Sequence, residues 1–242
     1  WAPRKPAVRK RRSDAQLTTD RKVFIPPMDP IATELLAAAF RGFGYEAEVM
    51  PENRETLAVG LKHTLGGEGV PCPSTTGSLI CALEKQDIPP EKAAFFMPTA
   101  CGPCRFGQYA TLDRIILEKR GQEDLLILSP SAVNAYQGLP EELRKMVWDC
   151  ILLSDILHKV EMGVRPYERE AGTTNRAVAA AVERLGREFE RGGRRLPETL
   201  RNVPPGIWEL KGDAPPRPQV GVVGEIYVRS DPFINDHLVR TV

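Results

Sequence analysis

The feature that most constrains the fold of this chain is a regular alternation of short apolar runs with longer amphipathic stretches. The apolar runs lie at residues 23–25, 45–50, 93–97 and 125–128, and the helical stretches lie at 31–40, 52–61, 75–85 and 106–119. Strands that alternate with helices of this length pair in parallel through right-handed crossovers. The sequence therefore predicts an open parallel α/β sheet with helices on both faces, which binds ligands at the carboxyl ends of its strands.

The first 195 residues divide into a tail and a domain. Residues 1–21 are basic and poor in apolar side chains, which predicts a tail or linker. Nucleic-acid binding is the weaker alternative for this segment because no aromatic side chains are interleaved with the charges. Residues 22–195 are predicted to form one α/β domain, which also includes two packing helices at 140–162 and 173–190.

The carboxyl end predicts a second, incomplete domain. Residues 196–218 contain six prolines and few periodic apolar positions, which predicts a linker. An apolar run at 220–224 and a helix that starts near Ile234 then predict the start of another α/β domain over 219–242. This helix has no stop signal before the last residue, and the first residue is not Met. We therefore expect the chain to be part of a longer protein, with its last segment mobile or packed on another copy.

Composition and missing motifs exclude several functions. Lys and Arg number 33 against 32 Asp and Glu, so no net field attracts nucleic acid or an anionic membrane. No stretch approaches the roughly 20 apolar residues of a membrane helix, and the start lacks a signal-peptide core, so we predict a cytoplasmic location. The sequence contains no Gly-x-x-x-x-Gly-Lys-Ser/Thr, Gly-x-Ser-x-Gly or His-Glu-x-x-His motif. We therefore expect no independent ATPase activity.

The densest chemical signal is a pair of cysteines, Cys101 and Cys104, separated by Gly-Pro. The pair follows the third predicted strand and precedes a helix, whose N-terminus stabilises thiolates and other anionic groups. Two thiolates at this spacing hold one metal ion or one cluster, but a thioredoxin-like dithiol and half of a zinc site fit as well. Zinc is the weaker interpretation because the sequence contains no second tight Cys or His pair.

Among the other cysteines and histidines, Cys72 is the strongest candidate for a further metal or cluster ligand. Cys72 lies between a Gly-rich segment and the third predicted helix, so it can reach the same edge of the sheet and is a plausible third ligand. A site with three thiolates and one open position suits an iron–sulfur cluster with an exchangeable iron. Structural thiols are predicted at Cys81 and Cys150, and surface or core-edge groups at His158 and His237. Among the histidines, His63 is the one that could approach a metal, because it lies near the Gly-rich loop.

The stretch around the cysteine pair is recognisable. Its sequence Gly-Pro-Cys-Arg-Phe-Gly-Gln-Tyr at 102–109 resembles the signature of the 2-hydroxyacyl-CoA dehydratase superfamily, in particular the branch of large CoA-enzyme activase-like proteins and double-cubane cluster proteins. Supporting matches lie at 25–28, 66–79, 165–168 and 224–229, and the resemblance covers about residues 22–242.

The resemblance implies flavodoxin-like or Rossmann-like α/β domains with an iron–sulfur cluster, of 4Fe–4S or double-cubane type, held by cysteines between them. It also implies a partner ATPase of the actin/sugar-kinase type, a separate chain or a fused domain, which delivers a low-potential electron on ATP hydrolysis. The substrate would be an acyl-CoA or another small molecule. The implied ligands are Cys104 and Cys101, followed by Cys72, which here comes after Pro71 whereas the family's cysteine often precedes this proline.

Four more residues match family positions near the site. Arg105, Gln108 and Tyr109 would lie in the first turn after the cysteines, where they could hydrogen-bond cluster sulfurs or a substrate. The alternative is that Arg105 pairs with a carboxylate and Tyr109 packs in the core. Glu225 resembles a position at the interdomain cleft, or it caps its own loop. The matching stretch at 165–168 is predicted to be structural, as a joint between two helices.

These observations predict an iron–sulfur component of an ATP-dependent low-potential electron-transfer system, related to 2-hydroxyacyl-CoA dehydratases or to small-molecule reductases. Two alternatives remain open. One is a non-catalytic interaction domain of a large activase-like protein, and the other is a dithiol redox domain. A homodimer remains open as well.

Overall fold

The computed structural model describes residues 16–193 and 196–242, and it contains the predicted parallel sheet. Its strands are β1 (Lys22–Ile25), β2 (Glu46–Val49), β3 (Ala93–Phe96) and β4 (Leu126–Leu128). All of them are parallel, in the order β2-β1-β3-β4, and Val23 pairs with Ala47 on one side and Ala94 on the other. This is the strand order of flavodoxin-like sheets, so the predicted fold class is confirmed. Most of the predicted basic tail at 1–21 lies outside the described residues.

Helices cover both faces of the sheet. They are α1 (Ala32–Gly42), α2 (Arg54–His63), α3 (Pro71–Gln86), α4 (Tyr109–Lys119), α5 (Glu141–Val164), α6 (Thr173–Glu190), α7 (Leu196–Trp208), α8 (Ile226–Ser230) and α9 (Leu238–Thr241). Side chains of α1, α5, α6 and α7 form a core with Val23 and Ile25, whereas α3 and α4 form a second core with Phe24 and Phe95. Successive strand residues therefore point to opposite faces. Within the described residues, no helix is both long and apolar enough to span a membrane.

Helices α2 and α3 approach each other so closely that two positions admit only glycine. A Cβ atom on Gly77 would lie 1.9 Å from the carbonyl oxygen of Thr56, and one on Gly60 would lie 1.7 Å from that of Pro73. Both obstacles are backbone atoms, so no side-chain rotation relieves the overlap. This contact sets the position of α3, whose first turn carries Cys72.

We expect Gly77→Ala to lower the free energy of unfolding by about 3 kcal/mol, because α2 and α3 must separate to admit the methyl group. The matched control is Gly206→Ala in α7, where nothing lies within 4 Å of the added Cβ. This control is expected to be neutral or stabilising by up to about 1 kcal/mol, since alanine favours helix over glycine. Chemical denaturation of both variants checks the prediction, and equal effects would contradict the close contact.

The prediction of a linker over 196–218 is wrong for its first half, where the chain forms α7. Leu196 and Ile207 of this helix are buried in the core formed with α5 and α6. Pro204 and Pro205 lie inside the helix, although each proline removes one backbone donor. Packing of the apolar face therefore outweighs the helix-breaking tendency that the sequence-based prediction relied on.

The predicted strand at 220–224 and the predicted long helix from Ile234 are also wrong. Val220 and Val223 are exposed, and residues 220–224 pair with no strand among the described residues, so no ladder of hydrogen bonds stabilises an extended strand there. The chain instead forms the short helix α8, a series of turns and α9. Helix α8 packs on the first domain, where Tyr227 is buried. The assignment of 219–242 to a second domain stays a prediction.

Candidate functional site

The loop with the two cysteines leaves the sheet at the carboxyl end of β3. Beyond the strand, Met97 N–H donates to the carbonyl of Leu128 at 2.9 Å, which keeps the chain beside β4. Cys101 and Cys104 then lie exposed on the following loop. The first residues of the predicted helix at 106–119 belong to a 3₁₀ turn, Arg105–Gln108, and the α-helix α4 begins at Tyr109. This position is next to the β1–β3 switch of the sheet, where open α/β folds bind ligands.

Two residues of the signature motif tie this loop to the Gly-rich loop that precedes α3. The Arg105 guanidinium donates to the carbonyl oxygen of Gly67, and the Tyr109 hydroxyl donates to that of Glu68 at 3.0 Å. Tyr109 is buried, as one alternative for this residue predicted, whereas Arg105 binds a backbone carbonyl rather than a carboxylate. Both side chains therefore position the segment that leads into Cys72.

Cys72 lies in the first turn of α3, one turn earlier than the predicted start of this helix, and it is fully buried. Burial raises the pKa of its thiol to about 12, and the negative charge of Asp113 adds to this effect. Burial likewise raises the pKa of Tyr109 to about 12, with further contributions from charge on Cys72, Glu225 and Cys104. Tyr109 and Cys72 belong to the same buried cluster.

The other candidate residues lie on the surface, cap or end a helix, or are buried in the core. Gln108 is exposed at the end of the 3₁₀ turn. Glu225 caps α8, where its Oε2 accepts from the backbone N–H of Val228 at 2.8 Å, as the capping alternative predicted. Cys150 is buried, which raises the pKa of its thiol and agrees with the prediction of a structural cysteine. His63 ends α2 and belongs to no metal-binding group among the described residues.

His158 was predicted to be a surface or core-edge group, and the structure places it in contact with two carboxylates. Its Nε2 lies 2.9 Å from Asp29 Oδ2, and its Nδ1 lies 3.7 Å from Glu161. Burial lowers the pKa of His158, but the hydrogen bonds to Asp29 and Glu161 outweigh this effect and raise it to about 9. The imidazole is therefore protonated at neutral pH and joins the loop after β1 to α5.

Sequence reasoning missed a pair of carboxylates beside the site. Glu52 follows β2 and accepts hydrogen bonds from the hydroxyl groups of Tyr227, at 2.8 Å, and Ser74. Burial and a hydrogen bond with the carboxylate of Asp231 together raise the pKa of Glu52 to about 8, and burial is the larger cause. Asp231 is itself buried. At neutral pH the pair therefore holds a proton, and it anchors the carboxyl segment to the first domain.

A second missed group is Asp113 on α4. This carboxylate is buried behind Cys72, accepts from the hydroxyl of Thr76 at 2.7 Å, and has an Oδ2 atom without a hydrogen-bond partner in the described part of the chain. Burial raises its pKa to about 7. No local pattern marks Asp113 in the sequence, because it is one charged residue in an amphipathic helix.

The residues can be tested against the iron–sulfur cluster that the resemblance implies. Cys101 and Cys104 supply two exposed, free thiols, the soft ligands that iron–sulfur clusters use, whereas Cys72 is buried and must become a thiolate in that environment. Bound metal deprotonates coordinating thiols outright, which offsets the raised pKa of Cys72. Across residues 16–193 and 196–242, no group of three or more Cys, His, Asp or Glu side chains is already gathered around one ion position. The exposed pair suits the group in its chemistry, whereas Cys72, which is buried with Tyr109 in one apolar cluster, would have to be uncovered before it could bind.

No family model, curated protein or solved structure matches this chain. The resemblance to the dehydratase superfamily therefore depends on the motif residues themselves. The contacts of Arg105 and Tyr109 give two of those residues a physical role at the candidate site.

Proposed function

We propose that the chain is an iron–sulfur component of an ATP-dependent low-potential electron-transfer system, similar to 2-hydroxyacyl-CoA dehydratases or small-molecule reductases. Cys101 and Cys104 would hold the cluster, with Cys72 as the third thiolate. The observation that supports this most is the pair of hydrogen bonds from Arg105 and Tyr109, which hold the loop before Cys72 against the loop of the other two cysteines. A bound cluster of 4Fe–4S or double-cubane type would supply one-electron transfer.

The surface around the cysteines supports a role for a partner protein. Large apolar side chains stand exposed on the neighbouring loops and on the carboxyl segment, namely Leu65, Val133, Tyr136, Val223 and Ile226. Exposed apolar groups of this size are available for contact with a partner, and larger exposed apolar patches mark interaction surfaces. In our proposal an ATPase of the actin/sugar-kinase type docks here and delivers the electron, and an acyl-CoA or another small molecule is the acceptor. We place the system in the cytoplasm, where the five free cysteines stay reduced.

Arg105, Gln108, Tyr109 and Glu225 each have a role in this proposal. Arg105 and Tyr109 position the thiol loops, and the exposed amide of Gln108 is available to a substrate or to a cluster sulfur. Burial is the main cause of the raised pKa of Tyr109, and the negative charge of Glu225 adds to it. Such charge disfavours a further negative charge at the site, so it helps to keep the reduction potential of a bound cluster low.

Stopped-flow spectroscopy of the cluster-loaded protein with the ATPase from the same source tests the proposal. We expect cluster reduction only when both ATP and the ATPase are present, because the chain has no ATP-binding motif of its own. Leu65→Glu combined with Val133→Glu should slow this reduction at unchanged iron content, whereas Leu61→Glu on α2 should not. Equal reduction rates without ATP would replace the proposal by an ordinary ferredoxin-like role.

The exposed Cys-x-x-Cys pair also favours a second candidate, a dithiol redox domain, because both thiols are free and accessible. This candidate needs no metal and predicts thiol–disulfide exchange with a small disulfide substrate. Turnover of such a substrate by the metal-free protein, abolished by Cys104→Ser, would favour it. The proposal above predicts no such turnover.

A further inference from the structure

The outward side of α5 carries an apolar surface that the candidate site does not use. The helix has 24 residues and is therefore about 36 Å long. Its inward side is buried in the core through Leu143, Cys150, Leu153, Leu157, Val160 and Val164. Its outward side carries five large apolar residues, each between 42% and 60% exposed, which we name the outer stripe: Trp148, Ile151, Leu152, Ile156 and Met162.

The outer stripe lies on one side of α5. At about 100° per residue its five positions fall within an arc of about 140°, opposite the buried positions. The surface continues onto α7, because the half-exposed Trp208 packs with its ring against Gly163 of α5. Six side chains of this size and exposure present roughly 500 Å² of apolar surface, which is near the upper end for a monomer. A standard interface buries about 800 Å² on each partner, so the stripe with its polar rim is large enough for one.

We propose that the outer stripe is the interface of a homodimer, in which α5 packs antiparallel to α5 of a second copy around a two-fold axis near Ser154. Symmetry of this kind places positions at equal distances before and after the axis opposite each other. Leu152 then faces Ile156 of the second copy, and Trp148 lies about half a turn from Met162 of that copy. The apolar residues are centred on the same point as the axis, so each copy covers the stripe of the other.

The charges around the stripe fit a second copy of the same chain. Asp149 and Lys159 are both exposed, and neither forms an ion pair within the described residues. An axis near Ser154 places Asp149 opposite Lys159 twice, once on each side. Asp155 lies within the arc, one helical turn before Lys159, which offsets its charge. Because the exposed charges of this face, Glu141, Lys145, Asp149, Asp155 and Lys159, sum to only −1, the face favours its own copy over a strongly acidic or basic partner.

Sedimentation velocity under reducing conditions, over a range of micromolar concentrations, tests this proposal. We expect a dimer for the wild type. The double variant Leu152→Glu with Ile156→Glu should raise the dimer dissociation constant by about 100-fold or more, because it brings four carboxylates together near the axis. Both residues are exposed, so the variant should keep its fold, as circular dichroism will report. Leu61→Glu, an equally exposed change on α2, should leave the dimer intact.

A charge exchange separates this geometry from non-specific association. Asp149→Lys and Lys159→Asp should each weaken the dimer, and the two together should restore most of it, because both pairs between positions 149 and 159 across the axis are then re-formed with reversed sign. A wild type that stays monomeric, or a double variant that fails to recover, would overturn the proposal. These results depend on neither a cluster nor ATP, so they are independent of the proposed function.

Discussion

Cys101→Ser combined with Cys104→Ser is expected to remove most of the iron and acid-labile sulfide from anaerobically prepared protein. Both thiols are exposed on the loop after β3, and a hydroxyl is a poor ligand for iron in a cluster. The wild type should be brown and the variant colourless. Elemental analysis and absorption spectra of the two proteins, prepared side by side, measure the difference.

The matched control is Cys81→Ser, which removes a half-buried thiol within α3. This variant should keep the iron and sulfide of the wild type. Cys72→Ser should lose a smaller share than the double variant, because two exposed ligands remain. Iron content that is unchanged in the double variant, or zinc in place of iron under iron-replete conditions, would contradict the assignment of the cysteine pair.

The second large effect is a pH dependence of the docked carboxyl segment. Glu52 has a pKa of about 8 in the folded protein because it is buried beside Asp231. A carboxyl group in the unfolded chain has the ordinary value near 4.3, so between these two values the folded state binds more protons. The contribution of Glu52 to docking is therefore complete below about pH 4, declines as the pH rises, and is lost above about pH 8. The slope is at most about 1.4 kcal/mol per pH unit for one proton.

Glu52→Gln isolates this effect. The amide keeps an oxygen that accepts from Tyr227 and Ser74, gains a donor for Asp231, and does not titrate. Hydrogen exchange over residues 226–235, corrected for intrinsic rates, should show an opening free energy that falls with pH in the wild type more steeply than in the variant. His158 also titrates, with a pKa of about 9, but it contributes equally to both proteins. Parallel curves would show that the carboxylate pair does not hold a proton.

The sheet was predictable because its signals are local. Residues 23–25 and 93–97 are apolar throughout, as strands buried on both faces must be, and prolines end both runs. The placement of the cysteine pair followed from the same topology, since the loop after a central parallel strand lies at the carboxyl edge. Helix α7 was missed because its prolines predicted a linker and the helical spacing of Leu196, Leu200, Val203 and Ile207 went unrecognised. Packing of these residues against α5 and α6 decides between the two signals.

The acidic pair and the position of the carboxyl segment could not be predicted, because they depend on contacts between distant parts of the chain. Tyr227 and Glu52 are 175 positions apart, and neither belongs to a pattern that indicates the other. The same holds for Asp113, whose proximity to Cys72 arises from the packing of α4 beside α3. The sequence marked the segment around Tyr227 only through the match at 224–229, which is part of the resemblance to the dehydratase superfamily.

Iron K-edge X-ray absorption of the anaerobically reconstituted wild-type protein shows directly whether this chain holds an iron–sulfur cluster. We expect an inner shell dominated by sulfur together with iron–iron scattering, and the loss of both in the double variant Cys101→Ser with Cys104→Ser. An inner shell of nitrogen and oxygen, or isolated iron without iron–iron scattering, would contradict the cluster assignment.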